Sequence, residues 1–303
     1  GLLELERGEP AAARARFQEA VRRDARCAPA YVDLAILQGE REPDEALANL
    51  RRALAARADY LPALNQMALL YLAQAGAHRE LLDLAEMVCR QAQLVDPDWA
   101  PLYNTWALID LERAELTAAA AKLTRATVLD PSFFEAHMNL GQLLLSQRAY
   151  EDAAAAFERA RGLRPSSYDA ILGHGVAQRG LRRIADAEAS YMAAIEADAA
   201  RPEAYFDLGV LYMDHRDGTG EDLSRAAGFF RQFVERARAR PALASTVADV
   251  ERRCDAAPAG RGGGRARSAC RPGRLQLIEI AAATMDTMRR QEERPGEPQS
   301  QSQ

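Results

Sequence analysis

The sequence predicts an all-α fold, and three periodic observations predict it. Gly141, Gly175 and Gly209 stand 34 residues apart, as do Pro97, Pro131 and Pro165, and as do Ala119, Ala153 and Ala187. Three unrelated residue classes share one period, which is the mark of a stacked repeat. Within each period the apolar spacing is helical: Ala153, Phe157 and Ala160 fall at i, i+4 and i+7, and Ala119, Leu123 and Ala126 repeat the pattern.

Taken in order, each repeat is a pair of helices. The first carries a small residue in its interior: Gly1, Ala35, Ala68, Ala107, Gly141, Gly175 and Gly209. Glycine there costs about 1 kcal/mol relative to alanine, so the position must be required by close packing against the partner helix. The second carries a large residue between alanines, as in Ala13–Phe17–Ala20 and Ala46–Leu50–Ala53. Proline closes a unit because it cannot continue the helix. The period has two defects, near Gly39–Pro43 and near Ala75–Leu82, both between helices where length is tolerated. The last repeat is interrupted by DHRDGTGEDLSR, after which Ala226, Phe230 and Phe233 resume the second-helix pattern. A helix from Pro241 to Arg253, apolar at Leu243, Val247 and Val250, then caps the stack.

The units resemble the tetratricopeptide repeat family, whose 34-residue helix–turn–helix has small residues, an aromatic and a terminal proline. Leu140–Gly141, Tyr150, Ala153, Phe157, Ala160 and Pro165 match it through one repeat. The family's tryptophan position holds Tyr31, Leu64, Tyr103, His137, Ile171 and Tyr205, and His174 replaces the leucine before the glycine. The resemblance implies a right-handed superhelical solenoid over residues 1–254, about six and a half repeats with a capping helix. The first repeat opens as if inside a helix, so the solenoid is expected to be truncated at its N-terminus.

Beyond it, residues 255–273 form a glycine- and arginine-rich linker, basic in a chain of net charge −5. No aromatic residue interleaves its arginines for base stacking, so nucleic acid is not the expected partner. Residues 274–290 place Leu275, Ile278, Ala282, Met285 and Met288 along one helical stripe, and the polar tail 291–303 is expected to be disordered. A helix so short is marginal alone and is expected to dock, either on the last repeats around Phe206, Val210 and Met213 or on another protein.

Chemistry finds little footing. The four histidines, His78, His137, His174 and His215, lie in different units without cysteine or carboxylate partners at ligand spacing. His137 and His174 read as satisfied core histidines. No glycine-rich phosphate loop follows a strand, and no nucleophile stands beside a base. No enzyme, metal, cofactor or small-molecule substrate is therefore expected. No run of 18 apolar residues is present. Cys89 occupies a second-helix core position, and Cys27 lies in a turn. Cys254 and Cys270 flank the linker and could pair in an oxidising compartment, or remain two thiols in a reducing one.

What such repeats can do is bind protein. By analogy with the family, the partner-facing wall of first helices includes Asn65, Leu69, Asn104, Leu108, Met138, Gln142, Leu172, Val176, Phe206 and Val210, with Val32 and Ile36. It lacks lysine and is mostly apolar, which suits an amphipathic helix or an apolar peptide rather than a carboxylate clamp. LLDLAEMVCRQAQLVDPDWAPLYNTWALIDL, GQLLLSQRAYEDA and the linker ending CRPGRLQ are similar to the tetratricopeptide lipoprotein family of the adventurous gliding-motility machinery of gliding bacteria. That similarity implies an envelope-associated scaffold, held to the membrane through an N-terminal lipid anchor. A soluble cytoplasmic adaptor or co-chaperone, and the regulatory region of a larger enzyme, are the alternatives.

Overall fold

The computed structural model describes residues 1–76, 78–214 and 220–255, so the linker, the 274–290 segment, the 291–303 tail, His215 and Cys270 lie outside the described residues, as does the side chain of Cys254. The described residues are helical and contain no strand. In chain order the helices are α1 (Leu2–Glu6), α2 (Pro10–Arg23), α3 (Ala28–Gln38), α4 (Pro43–Ala56), α5 (Leu61–Gln74), α6 (Leu81–Val95), α7 (Ala100–Glu112), α8 (Leu116–Leu129), α9 (Phe134–Ser146), α10 (Tyr150–Leu163), α11 (Tyr168–Gly180), α12 (Ile184–Ala197), α13 (Glu203–Asp214), α14 (Gly220–Ala237) and α15 (Ala244–Asp255). The two length defects fall where expected: a single 3-10 turn, Gly39–Arg41, joins α3 to α4, and the loop from α5 to α6 absorbs the longer step.

The chain divides into two compact units, which meet inside α9 after Ala136. In the first, α1 pairs with α2, α3 with α4, α5 with α6 and α7 with α8; in the second, α11 pairs with α12 and α13 with α14, and α9 meets α10 where Gly141 faces Phe157. The interior small residue of each first helix faces the large residue of its second helix, and the sizes are matched. A methyl group on Gly141 would sit 2.9 Å from the Phe157 ring, one on Gly175 2.7 Å from Tyr191, and one on Gly209 2.7 Å from Phe230. Where the first helix has alanine instead, at Ala35, Ala68 and Ala107, the second helix has Leu50, Cys89 and Leu123. Aromatic rings thus go with glycine, and aliphatic or thiol side chains go with alanine. Phe157 also touches the next hairpin, where a methyl on Gly173 would lie 2.5 Å from the same ring.

The turns within the hairpins repeat a second device. Ala114, Arg148 and Arg182, again 34 residues apart, have φ near +60°, and Gly8 has φ of 71° at the corresponding place. After α9, the Arg148 N–H donates to the Leu145 carbonyl at 3.0 Å and the Ala149 N–H to the Leu144 carbonyl at 2.9 Å. That pair of bonds satisfies the last carbonyls of the helix in the Schellman manner; α1, α7 and α11 end in the same way. Between hairpins the stop is shared with an aspartate. Asp96, Asp130 and Asp198 accept at Oδ1 from the backbone N–H two residues on, each at 2.9 Å, and Asp24 does so at 2.8 Å. Pro97 and Pro131 each follow such an aspartate, so the side chain turns the backbone and the ring keeps it from re-entering a helix.

At the end of the second unit the helix expected from Pro241 begins at Ala244, after a 3-10 turn at Pro241–Leu243; Leu243 of the turn and Val247 and Val250 of α15 are buried in the cluster containing Phe230 and Phe233.

Two outcomes test this packing. Gly175→Ala forces an overpacked contact with Tyr191 and should cost about 1–3 kcal/mol; in a Tyr191→Leu background the same substitution should cost much less, a coupling that a double-mutant urea-denaturation cycle reads directly. Arg148→Gly removes a left-handed L-residue, a conformation costing roughly 1–2 kcal/mol, against about 0.5–1 kcal/mol of added glycine entropy. It should raise the denaturation midpoint.

Candidate protein-interaction surface

The wall of first helices is partly consumed by the fold itself. In the first unit, Asn65 and Leu69 on α5 and Leu108 on α7 are half-buried, whereas Asn104 is buried. Thr105 Oγ1 donates to Asn65 Oδ1 at 2.7 Å, so these polar groups bridge neighbouring first helices. Ile36 on α3 is exposed and Val32 is buried. In the second unit, Gln142 and Val176 are half-buried, but Met138, Leu172, Phe206 and Val210 are buried. Phe206 packs edge-on against Phe230 and Phe233, with centroids 5.8 and 5.2 Å apart. The apolar character seen at these four positions is therefore core; the segment 274–290, expected to dock beside Phe206 and Val210, lies outside the described residues. Beside them, Arg179 of α11 donates to Asp207 of α13 at 2.7 Å, both side chains largely enclosed. Burial outweighs the arginine and pushes the Asp207 carboxyl up from its ordinary value.

The exposed apolar surface lies on second helices instead. Leu84, Met87, Leu94 and Val95 of α6, and Leu116 and Val128 of α8, face solvent, Leu94 with 88% and Val128 with 66% of its surface open. Leu84, Met87 and Leu94 share one face of α6 at i, i+3 and i+10. Leu94 and Val128 hold the same repeat position, which α2, α4, α10 and α12 fill with Arg22, Ala55, Gly162 and Glu196. Reading first helices alone misses this surface; laying the second helices over one another in register reveals it, because two consecutive helices put large apolar residues where the others put charged or small ones. A solvated helix face is ordinarily charged, and a clustered apolar one marks an interaction site.

Ion pairs brace this region from behind. Arg113 at the end of α7 pairs with Glu86 and Asp83 of α6, and its guanidinium is the main reason that the Glu86 carboxyl is held below its ordinary value. Lys122, the sole lysine, reaches from α8 to Asp110 of α7, its ammonium 4.9 Å above the Trp106 ring. Asp110 is only 2% exposed, and its enclosure raises its carboxyl pKa even against that ammonium. Cys89 is buried beneath, its thiol pushed up to about 12 by loss of solvation, so it stays protonated and unreactive. Cys27 is half-buried.

The histidines divide as their positions suggest. His137 is buried, His78 lies exposed 3.3 Å from Glu80, and His174 is enclosed among partners described below. No group of three or more metal-ligating side chains occurs among the described residues. Nor, among them, is any helix long and apolar enough to cross a membrane.

The tetratricopeptide repeat family profile matches residues 104–168 and 172–244. Among solved structures the chain is similar to PilF of Pseudomonas aeruginosa, at 21% identity over 73% of this chain and 94% of that one, with a TM-score of 0.58. It is also similar to the APC/C hetero-tetramer Cut9–Hcn1, at 14% identity over 80% of this chain and 46% of that one, TM-score 0.61. YrrB, described as a TPR protein with an unusual peptide-binding site, aligns at 20% identity over 62% of this chain and 95% of its own, TM-score 0.44. At these identities the likeness to PilF and to Cut9–Hcn1 is one of fold. No curated protein matches the chain.

Removing the ammonium that accompanies a buried carboxylate should be costly. Lys122→Met is expected to destabilise the protein by about 3–5 kcal/mol at pH 7 by stranding Asp110, and Asp110→Leu in the same chain should recover most of that loss. Urea midpoints of the single and double variants check it.

Proposed function

We propose that this tetratricopeptide-repeat chain is a non-catalytic scaffold that binds protein partners through apolar contacts. The observation that carries the reading is the apolar surface left uncovered on α6 and α8, within a stack whose other large apolar side chains are mostly packed away. Leu84, Met87, Leu94 and Val128 offer large side chains, and Ala121 and Thr124 between them on α8 let another backbone approach closely. A partner helix or extended segment with an apolar face suits that surface. Asn65, Leu69 and Leu108 in the first unit, and separately Gln142 and Val176 in the second, are the half-buried first-helix positions that keep some exposure. The repeat architecture supports this reading because the tetratricopeptide fold is a protein-interaction fold.

The envelope gliding-motility context is the finer part of the proposal. It rests on the resemblance of residues 81–111 and of the cysteine-bounded linker, and it carries with it the lipid anchor and the pairing of Cys254 with Cys270. A cytoplasmic adaptor is the competing setting.

Photo-crosslinking in cells that make the protein tests the binding surface. A crosslinking residue at Leu94 or Val128 should capture defined protein partners, one at Ala155 on the outer side of α10 should not, and Met87→Asp should weaken capture at Leu94. Capture at Ala155 equal to that at Leu94 would remove the α6–α8 surface from consideration, and capture confined to Leu69 and Leu108 would move the site to the first helices.

A further inference from the structure

His174 sits on α11 directly before Gly175, with only 12% of its side chain exposed. From α10, Arg161 Nη1 lies 3.0 Å from its Nδ1. From α12, Ser190 Oγ lies 3.2 Å from the same nitrogen. On its own helix, the Gln178 amide is 3.1 Å from Nε2. Glu158 of α10 stands further off, 3.7 Å from Nε2, where it pairs instead with Arg161 at 3.2 Å. Asp186 of α12 completes the charged groups that act on the ring.

These contacts fix the tautomer. A guanidinium can only donate, so Nδ1 accepts from Arg161 and the neutral ring carries its proton on Nε2. That N–H needs an acceptor, and the Gln178 amide oxygen, otherwise without a partner, supplies one once the amide is turned to face it. Both ring nitrogens are then paired, but only while the ring is neutral. A proton on Nδ1 would set two donors against each other at 3.0 Å.

We propose that His174 is a proton-operated latch between α10 and α11. Neutral, it accepts from Arg161 and joins the two hairpins; protonated, it expels that guanidinium and takes the Glu158 carboxylate in its place. Arg161 and Glu158 lie one helical turn apart and both reach solvent, so the exchange needs side-chain rotation only. Burial, with the Arg161 charge second, holds the ring's protonation below its ordinary range near 6.5. The sign follows: the unfolded chain binds the proton before the folded one does. The contribution of His174 to stability is therefore complete above pH 6.5 and is lost as the pH falls through the folded value.

The test combines NMR titration of the imidazole in the full chain with melting temperatures from pH 7.5 to 5. His174 should titrate below 6.5, Arg161→Gln should shift that titration upward, and Glu158→Gln should shift it further down. The melting temperature of the wild type should fall more steeply on acidification than that of His174→Leu. Titration at or above 6.5, or titration unmoved by both partner substitutions, overturns the proposal. Parallel melting curves for wild type and His174→Leu would reduce the residue to packing alone. Should His174→Leu fail to fold, the titrations of the wild type and the two surface variants still decide.

Discussion

Everything in this fold depends on how closely the two helices of a hairpin approach at one place. That place is the slot where the small residue of the first helix meets the large residue of the second. Helices packed through ordinary side chains lie 8–10 Å apart, and a ring the size of Tyr191 or Phe230 occupies most of that gap. Only glycine leaves room for it. Where the large residue is Leu50, Cys89 or Leu123, alanine suffices. The local cost of glycine in a helix is offset by burying an aromatic ring, which contributes more than the propensity loss. Because Phe157 touches Gly141 and Gly173, one ring also sets the contact between successive hairpins, so the same constraint that shapes a unit propagates to the next.

Given that spacing, the connections have little freedom. After α1, α7, α9 and α11 the turn reverses the chain in three residues, and the Schellman closure does so by placing one residue at positive φ. Among the described turns that close in this way, glycine stands there at Gly8; Ala114, Arg148 and Arg182 accept the strain because the two backbone bonds that they close, and the packing of the helices on either side, over-determine the geometry. Between hairpins the aspartate turn needs no unusual φ, and there ordinary residues serve without strain.

The candidate surface follows from the same arithmetic of faces. A first helix is sandwiched between its own second helix and its neighbours, so little of it reaches solvent, and its polar residues are drawn into bridges such as Thr105–Asn65 and Arg179–Asp207. A second helix has an outer face that packs on nothing. Charges usually solvate it; on α6 and α8 they are directed sideways, into Arg113–Glu86 and Lys122–Asp110, leaving Leu94 and Val128 without a covering.

The sequence by itself determined the helical-repeat class, the 34-residue unit and the need for close packing at Gly141, because periodicity and small-residue spacing are local signals that survive without coordinates. It also marked Cys89, His137 and His174 as core positions. It did not determine which apolar residues were spare. Phe206 and Val210 and the exposed pair Leu94 and Val128 look alike as letters, and only tertiary packing, which buries the first two and leaves the second two open to solvent, separates them. The strained turns were silent for a related reason: Ala114, Arg148 and Arg182 carry no glycine to announce a positive φ. Burial and backbone strain are properties of what lies across the contact, and that partner is supplied by tertiary structure rather than by the residue itself.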